Sequence, residues 1–129
     1  MRWNSSLLIG DARIDEQHQR LFQLLDSLTL STDDHDNRAR ADAAITALRD
    51  YVTKHLRDEE ALLRSVRYKD YAAHCAVHGE FETTLDCLAA RIASSPPAVV
   101  LNEIEQFVSC WLAEHIATVD MRYKPFITG

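Results

Sequence analysis

The chain has 129 residues, 26% of them charged, with 14 Lys+Arg against 20 Asp+Glu and a formal net charge of −6. That length suits one domain, residues 1–129, folded around a single core. The acidic balance and the lack of a basic cluster argue against nucleic acid as a partner, and no apolar run is long enough to span a bilayer. The opening MRWNSSLLIG lacks the charged start and long apolar run of a secretory leader. Three cysteines without CxxC spacing, Cys75, Cys87 and Cys110, read as small buried thiols in a reducing compartment. The expectation is a soluble, cytoplasmic protein.

Before Asp15, Trp3 and the Gly10-Asp11 turn signal predict an extended arm laid across the rest of the chain. Leu21, Leu24, Leu25 and Leu28 then recur at helical spacing, which predicts a first helix from about Asp15 to Leu30. The run STDDHDN carries no apolar period and offers Asp and Asn side chains to cap the next helix; His35, within it, is expected in solvent. A second helix from about Arg38 to Ser65 aligns Ala41, Ala44, Ile45, Leu48, Val52, His55, Glu59 and Leu62 or Leu63 on one stripe. A third, from about Lys69 to Ala93, aligns Tyr71, His74, His78, Phe81, Leu85, Leu88 and Ile92. SSPP interrupts it, with Ser95 expected as N-cap and Pro96 or Pro97 in the first turn of a fourth helix. This last helix turns Leu101, Ile104, Val108, Trp111, Leu112 and His115 inward and runs out near Met121. Glycine is scarce, strand-like alternation is absent and connections are short, so the fold class is all-α: an antiparallel up-down-up-down four-helix bundle with an extended N-terminal arm.

Polar residues interrupt those apolar stripes. A single histidine on such a face usually has a hydrogen-bond partner in the core and binds nothing. Here His18, His55, His74, His78 and His115 are spread over all four helices, with Glu59 one turn beyond His55 and Asp120 just beyond His115. Buried ionised carboxylates cost several kcal/mol each unless a cation or a proton compensates them, and no Lys or Arg occupies the inward stripes. A metal centre supplies that charge and takes the imidazoles as neutral donors. Seven donors exceed the four of structural zinc and the six of an octahedral ion, so two ions are implied, with Glu59 and Asp120 as the groups able to bridge them. Iron, copper, zinc and nickel all suit a nitrogen-rich set.

The segments GDARIDEQHQRLF around His18, HLRDEEALL around His55 and Glu59, HCAVHGEF around His74 and His78, and WLAEHIATVDMRYK around His115 and Asp120 span nearly the whole chain. Their combined H…HxxxE…HxxxH…HxxxxD pattern resembles the bacterial hemerythrins. The resemblance implies two iron ions in a non-haem centre that binds dioxygen reversibly, bridged by Glu59, Asp120 and a solvent-derived oxygen. By the same similarity His74, His78 and His115 hold one iron and His18 with His55 the other, whose open position takes the dioxygen. Leu112 and Ile116, flanking His115, are expected to line and shield that oxygen pocket, alongside ordinary core packing. Leu63 stands where the family pattern has methionine and Lys69 where it has proline, which leaves the ligand set intact but bears on affinity and autoxidation.

The two rivals to a carrier are a ferritin-like di-iron oxidase or peroxidase, whose sites use more carboxylates than this chain offers, and an oxygen or redox sensor. The reading is therefore an oxygen-binding protein and not an enzyme, delivering to an oxygen-consuming partner protein. One spacing resists an ideal helix: five residues from His115 to Asp120 leave their directions about 140° apart. A π-bulge or a fraying helix end is expected to bring Asp120 back. Tyr68, Tyr71 and Tyr123 are able to hydrogen-bond near the site, with structural roles expected first for each.

Overall fold

The computed structural model describes residues 3–30 and 38–128; His35 and the capping run 31–37 lie outside these residues. Four long helices carry the fold: α1 (Ala12–Leu30), α2 (Arg38–Ser65), α3 (Tyr71–Ala90) and α4 (Pro97–Thr118), followed by a short α5 (Lys124–Thr128). No strand occurs among the described residues. α1 packs on α2 and α4, and α3 packs on the same two helices, giving a four-membered ring with one core.

Side-chain pairs between helices fix the directions. Arg49 binds Asp86 at 2.6 Å and Arg57 binds Glu82, so α2 and α3 run antiparallel. Phe81 stacks on Trp111 with ring centres 3.9 Å apart, while Arg91, ten residues further along, pairs with Glu103, so α3 and α4 are antiparallel too. Arg13 on Asp58 and Gln17 on His55 establish the same relation for α1 and α2. The up-down-up-down bundle expected from the short connections is the observed one.

The arm is less extended than expected. Ser5–Leu7 form a 3-10 turn capped by Asn4, and α1 begins at Ala12 because Asp11 Oδ1 accepts the Ile14 N–H at 3.0 Å. Asp15 then takes the Ile9 and Gly10 N–H groups at 2.8 and 3.2 Å, and Gly10 turns the chain at φ 100. These bonds seat Leu7 and Ile9 in the core.

Three other boundaries differ from the sequence reading. α3 starts two residues later than Lys69 and tightens into a 3-10 turn, Arg91–Ala93. Pro96, not Ser95, is the N-cap of α4: it precedes a proline, which excludes it from helical geometry and leaves it at ψ 131, with Pro97 as the first helical residue. The Ser95 carbonyl instead accepts Arg38 Nη1 at 2.9 Å. The cysteines are not buried thiols. Cys87 is exposed and Cys75 half-buried because the inward sector of α3 is taken by His74, His78, Phe81, Leu85 and Ala89, and Cys110 is exposed because that of α4 is taken by Leu101, Ile104, Val108, Leu112 and His115.

α2 ends in a Schellman motif, with Tyr68 N–H on the Leu63 carbonyl at 3.0 Å and Arg67 N–H on that of Arg64 at 3.1 Å. Arg67 holds the left-handed position at φ 54, where glycine is the usual residue. The motif turns Tyr68 inward, where its ring meets His74, Tyr123 and Phe126 edge-on.

Candidate metal centre

The five inward histidines and both carboxylates converge at one end of the bundle, and all seven are at most 5% exposed. Helical spacing explains the pairs His55/Glu59 and His74/His78, each one turn apart on an inward face. Asp120 arrives differently. α4 ends at Thr118, with the Val119 N–H still bonded to the His115 carbonyl at 2.8 Å, and Asp120 opens a 3-10 turn, Asp120–Arg122. The helix therefore stops and tightens. A π-bulge would have widened it, so of the two expected devices only the helix end is present. A new turn with its own direction frees Asp120 from the 140° offset and puts its Oδ1 3.0 Å from His115 Nε2.

The donors divide into two groups. Glu59, His74, His78 and His115 each offer an atom within 4.8 Å of the others, and so do His18, His55 and Glu59. Glu59 Oε1 lies 2.7 Å from His74 Nε2 and 3.0 Å from His78 Nε2, whereas its Oε2 lies 3.7 Å from His18 Nε2 and 3.8 Å from His55 Nε2. Asp120 repeats the division. Its Oδ1 faces His74 and His115 at 3.3 and 3.0 Å, and its Oδ2 faces His18 at 3.5 Å. Each carboxylate thus presents one oxygen to each group.

Hydrogen bonding leaves this arrangement incomplete. His18 Nδ1 and Nε2, His78 Nε2, His115 Nε2 and both Asp120 oxygens are buried without a hydrogen-bond partner. His78 and His115 lie at ion-pair distance from carboxylate oxygens, yet out of line for a hydrogen bond. So many orphaned buried donors and acceptors are costly in a protein core. A cation resolves them: two donors each about 2.1 Å from one ion and at right angles are about 3.0 Å apart, the range seen here. The residues present fit a pair of metal ions.

Electrostatics point the same way. Burial pushes His55 down to about 4, so its imidazole is neutral. Burial also acts downward on His74, but the Asp120 and Glu59 carboxylates outweigh it and raise that ring to about 9. Burial acts upward on Glu59, and the surrounding imidazoles of His18, His74 and His78 outweigh it, holding the carboxyl well below its ordinary range. His74 is thereby held toward its protonated form.

Further groups aim these donors, of which the sequence reading did not single out Gln17 and Glu60. Tyr123, fully buried, donates its hydroxyl to Glu59 Oε2 at 3.0 Å, so of the two roles open to it the hydrogen bond at the site is the observed one. Burial and the charges of Glu59 and Asp120 raise its pKa far above that of a free phenol, so it remains a donor. Gln17 Oε1 meets His55 Nδ1 at 2.9 Å, and Glu60 Oε2 meets His78 Nδ1 at 2.8 Å. Both sit directly beside a ligand-type residue in sequence, Gln17 before His18 and Glu60 after Glu59, and that adjacency is the signal that could have flagged them. The Trp111 ring stacks on His115 with centres 4.2 Å apart. Leu112 and Ile116 are both buried in the core.

Comparison with known proteins decides the family. The model of the hemerythrin HHE cation binding domain matches residues 10–127. The chain belongs to the hemerythrin family. It is 34% identical to a hemerythrin-like protein of Naegleria gruberi over 95% of this chain and 89% of that one. To the bacteriohemerythrin of Methylococcus capsulatus it is 32% identical over 89% and 86% of the two chains. Its fold superposes on the crystal structure of a wild-type hemerythrin with a TM-score of 0.88 at 28% identity, covering 100% of this chain and 98% of the other. No described helix of this hemerythrin is long and apolar enough to cross a membrane.

Proposed function

We propose that this hemerythrin binds dioxygen reversibly at two iron ions inside the bundle, as a carrier or store and not as an enzyme. The observation that carries the proposal is the division of the donors. Two groups share Glu59, and each oxygen of Glu59 and Asp120 faces a different group. On this reading His74, His78 and His115 would hold one iron and His18 and His55 the other, with Glu59 and Asp120 as the carboxylates that both groups would share. When bound, the iron pair would supply the redox chemistry needed for reversible dioxygen binding.

The chain's own residues supply the rest. The His18/His55 group has one imidazole fewer than its neighbour, so its metal would have a donor position to spare for an exogenous ligand. Leu112 and Ile116 are apolar and buried, and in this role they line the pocket and exclude the water that would otherwise let protons leak to the ligand. The Tyr123 hydroxyl holds Glu59 Oε2 in place without delivering a proton. Residues 1–129 act as one domain on this reading, supported by the single core cluster. On this reading the protein works in the cytoplasm and hands its oxygen to an oxygen-consuming partner protein.

Metal analysis of the purified protein, followed by an optical spectrum as air is admitted to the reduced form and then removed, tests the proposal. Two irons per chain and a visible band that appears and vanishes reversibly are expected. Irreversible bleaching with peroxide release would place the protein among oxidases or peroxidases, and absence of iron would overturn the metal assignment.

A further inference from the structure

The two imidazoles whose Nδ1 atoms are held by side chains are held by groups of different charge. Gln17 Nε2 donates to Asp58 Oδ2 at 2.7 Å, and Asp58 is itself anchored by Arg13 and Lys54, both at 3.1 Å. A carboxylate only accepts, so the Gln17 amide cannot flip: its NH2 faces Asp58 and its oxygen faces His55. His55 Nδ1 must therefore donate, which leaves the lone pair on Nε2, the atom turned toward Glu59. His78 is fixed in the same tautomer by Glu60, a carboxylate whose other oxygen takes Arg57 Nη1 at 2.8 Å. An anionic acceptor draws the Nδ1 proton further from the ring than a neutral amide does, and so raises the basicity of the opposite nitrogen.

We infer that Gln17 and Glu60 are positioning residues that make the two half-sites unequal: Glu60 makes His78 the stronger metal donor, Gln17 leaves His55 the weaker one, and the His18/His55 half-site releases its metal first. The inference rests on the two-metal reading above. It assigns the weaker hold to the side with fewer imidazoles, so the charge difference and the donor count act in the same direction.

Anaerobic transfer of ferrous iron from the loaded full chain to a coloured chelator separates the alternatives. The wild type is expected to lose its two irons in two resolved phases. Glu60→Gln is expected to speed the slow phase about 10-fold or more and to leave the fast phase unchanged. Gln17→Glu/Asp58→Asn exchanges the amide and the acid, keeps the net charge and puts a carboxylate against His55 Nδ1; it is expected to slow the fast phase and leave the slow one. A loss of packing would shift both phases together and lower the melting temperature, so a change confined to one phase is a readout that general loosening does not give. If wild type holds two irons and either substitution moves both phases equally, or neither, the inference fails. If wild type holds fewer than two irons, the two-metal reading fails instead.

Discussion

The two ends of this bundle are made by the same four helices but solve opposite problems. At one end Leu25, Leu28, Ile45, Leu48, Leu85, Leu101 and Ile104 are almost wholly buried, and removing their apolar surface from water is favourable in itself. At the other end the inward positions of the same stripes carry His18, His55, Glu59, His74, His78 and His115, joined by Asp120 and left with orphaned polar atoms. Burial there opposes folding until a cation compensates it. One end stabilises the fold unconditionally, and the other would do so only with its charge compensated.

Removing the metal should break this comparison most strongly. Chelation is expected to cost several kcal/mol, which at this chain length lowers the melting temperature by at least about 10 °C. Hydrogen exchange should localise the loss. Amides around Leu56, Val77 and Ile116 are expected to lose protection while those near Ile45, Leu85 and Leu101 keep it; uniform deprotection would show that the two ends are not separable. Glu59→Gln should reproduce most of this effect without a chelator, because it removes a shared carboxylate from both groups, and wild-type iron content in that variant would count against a bridging role.

Leu48→Ala tests the other end. A cavity at this fully packed position is expected to cost about 2–5 kcal/mol while the protein still takes up two irons with an unchanged visible spectrum. Tyr123→Phe keeps the ring and removes only the hydroxyl that meets Glu59 Oε2. A hydrogen bond to a charged group contributes about 1.5–3 kcal/mol, so the loaded variant is expected to melt several degrees lower while its metal-free form changes less; equal losses in both forms would make the hydroxyl a packing feature alone. The smallest effect belongs to Arg67→Gly. Releasing a non-glycine residue from φ 54 should stabilise the protein by about 1 kcal/mol, seen as a small rise in melting temperature in both forms.

The sequence by itself determined the helices, their inward faces and the seven polar residues that meet inside the bundle. Helical periodicity is local, so a residue's face is settled within two turns of itself, and polar residues inside an apolar stripe are visible as exceptions without any structure. Tertiary structure alone decided how those donors are aimed. Gln17 reaches His55 across 38 positions and Tyr123 reaches Glu59 across 64, and neither pairing leaves a periodic trace. Asp120 depended on where α4 stops, which the five-residue spacing posed as a problem but could not resolve between widening and ending. Cys87 and Cys110 were misjudged for the same reason in reverse. Their apolar character suited a core, but the inward sector of each helix was already filled by larger side chains, and packing left the thiols outside.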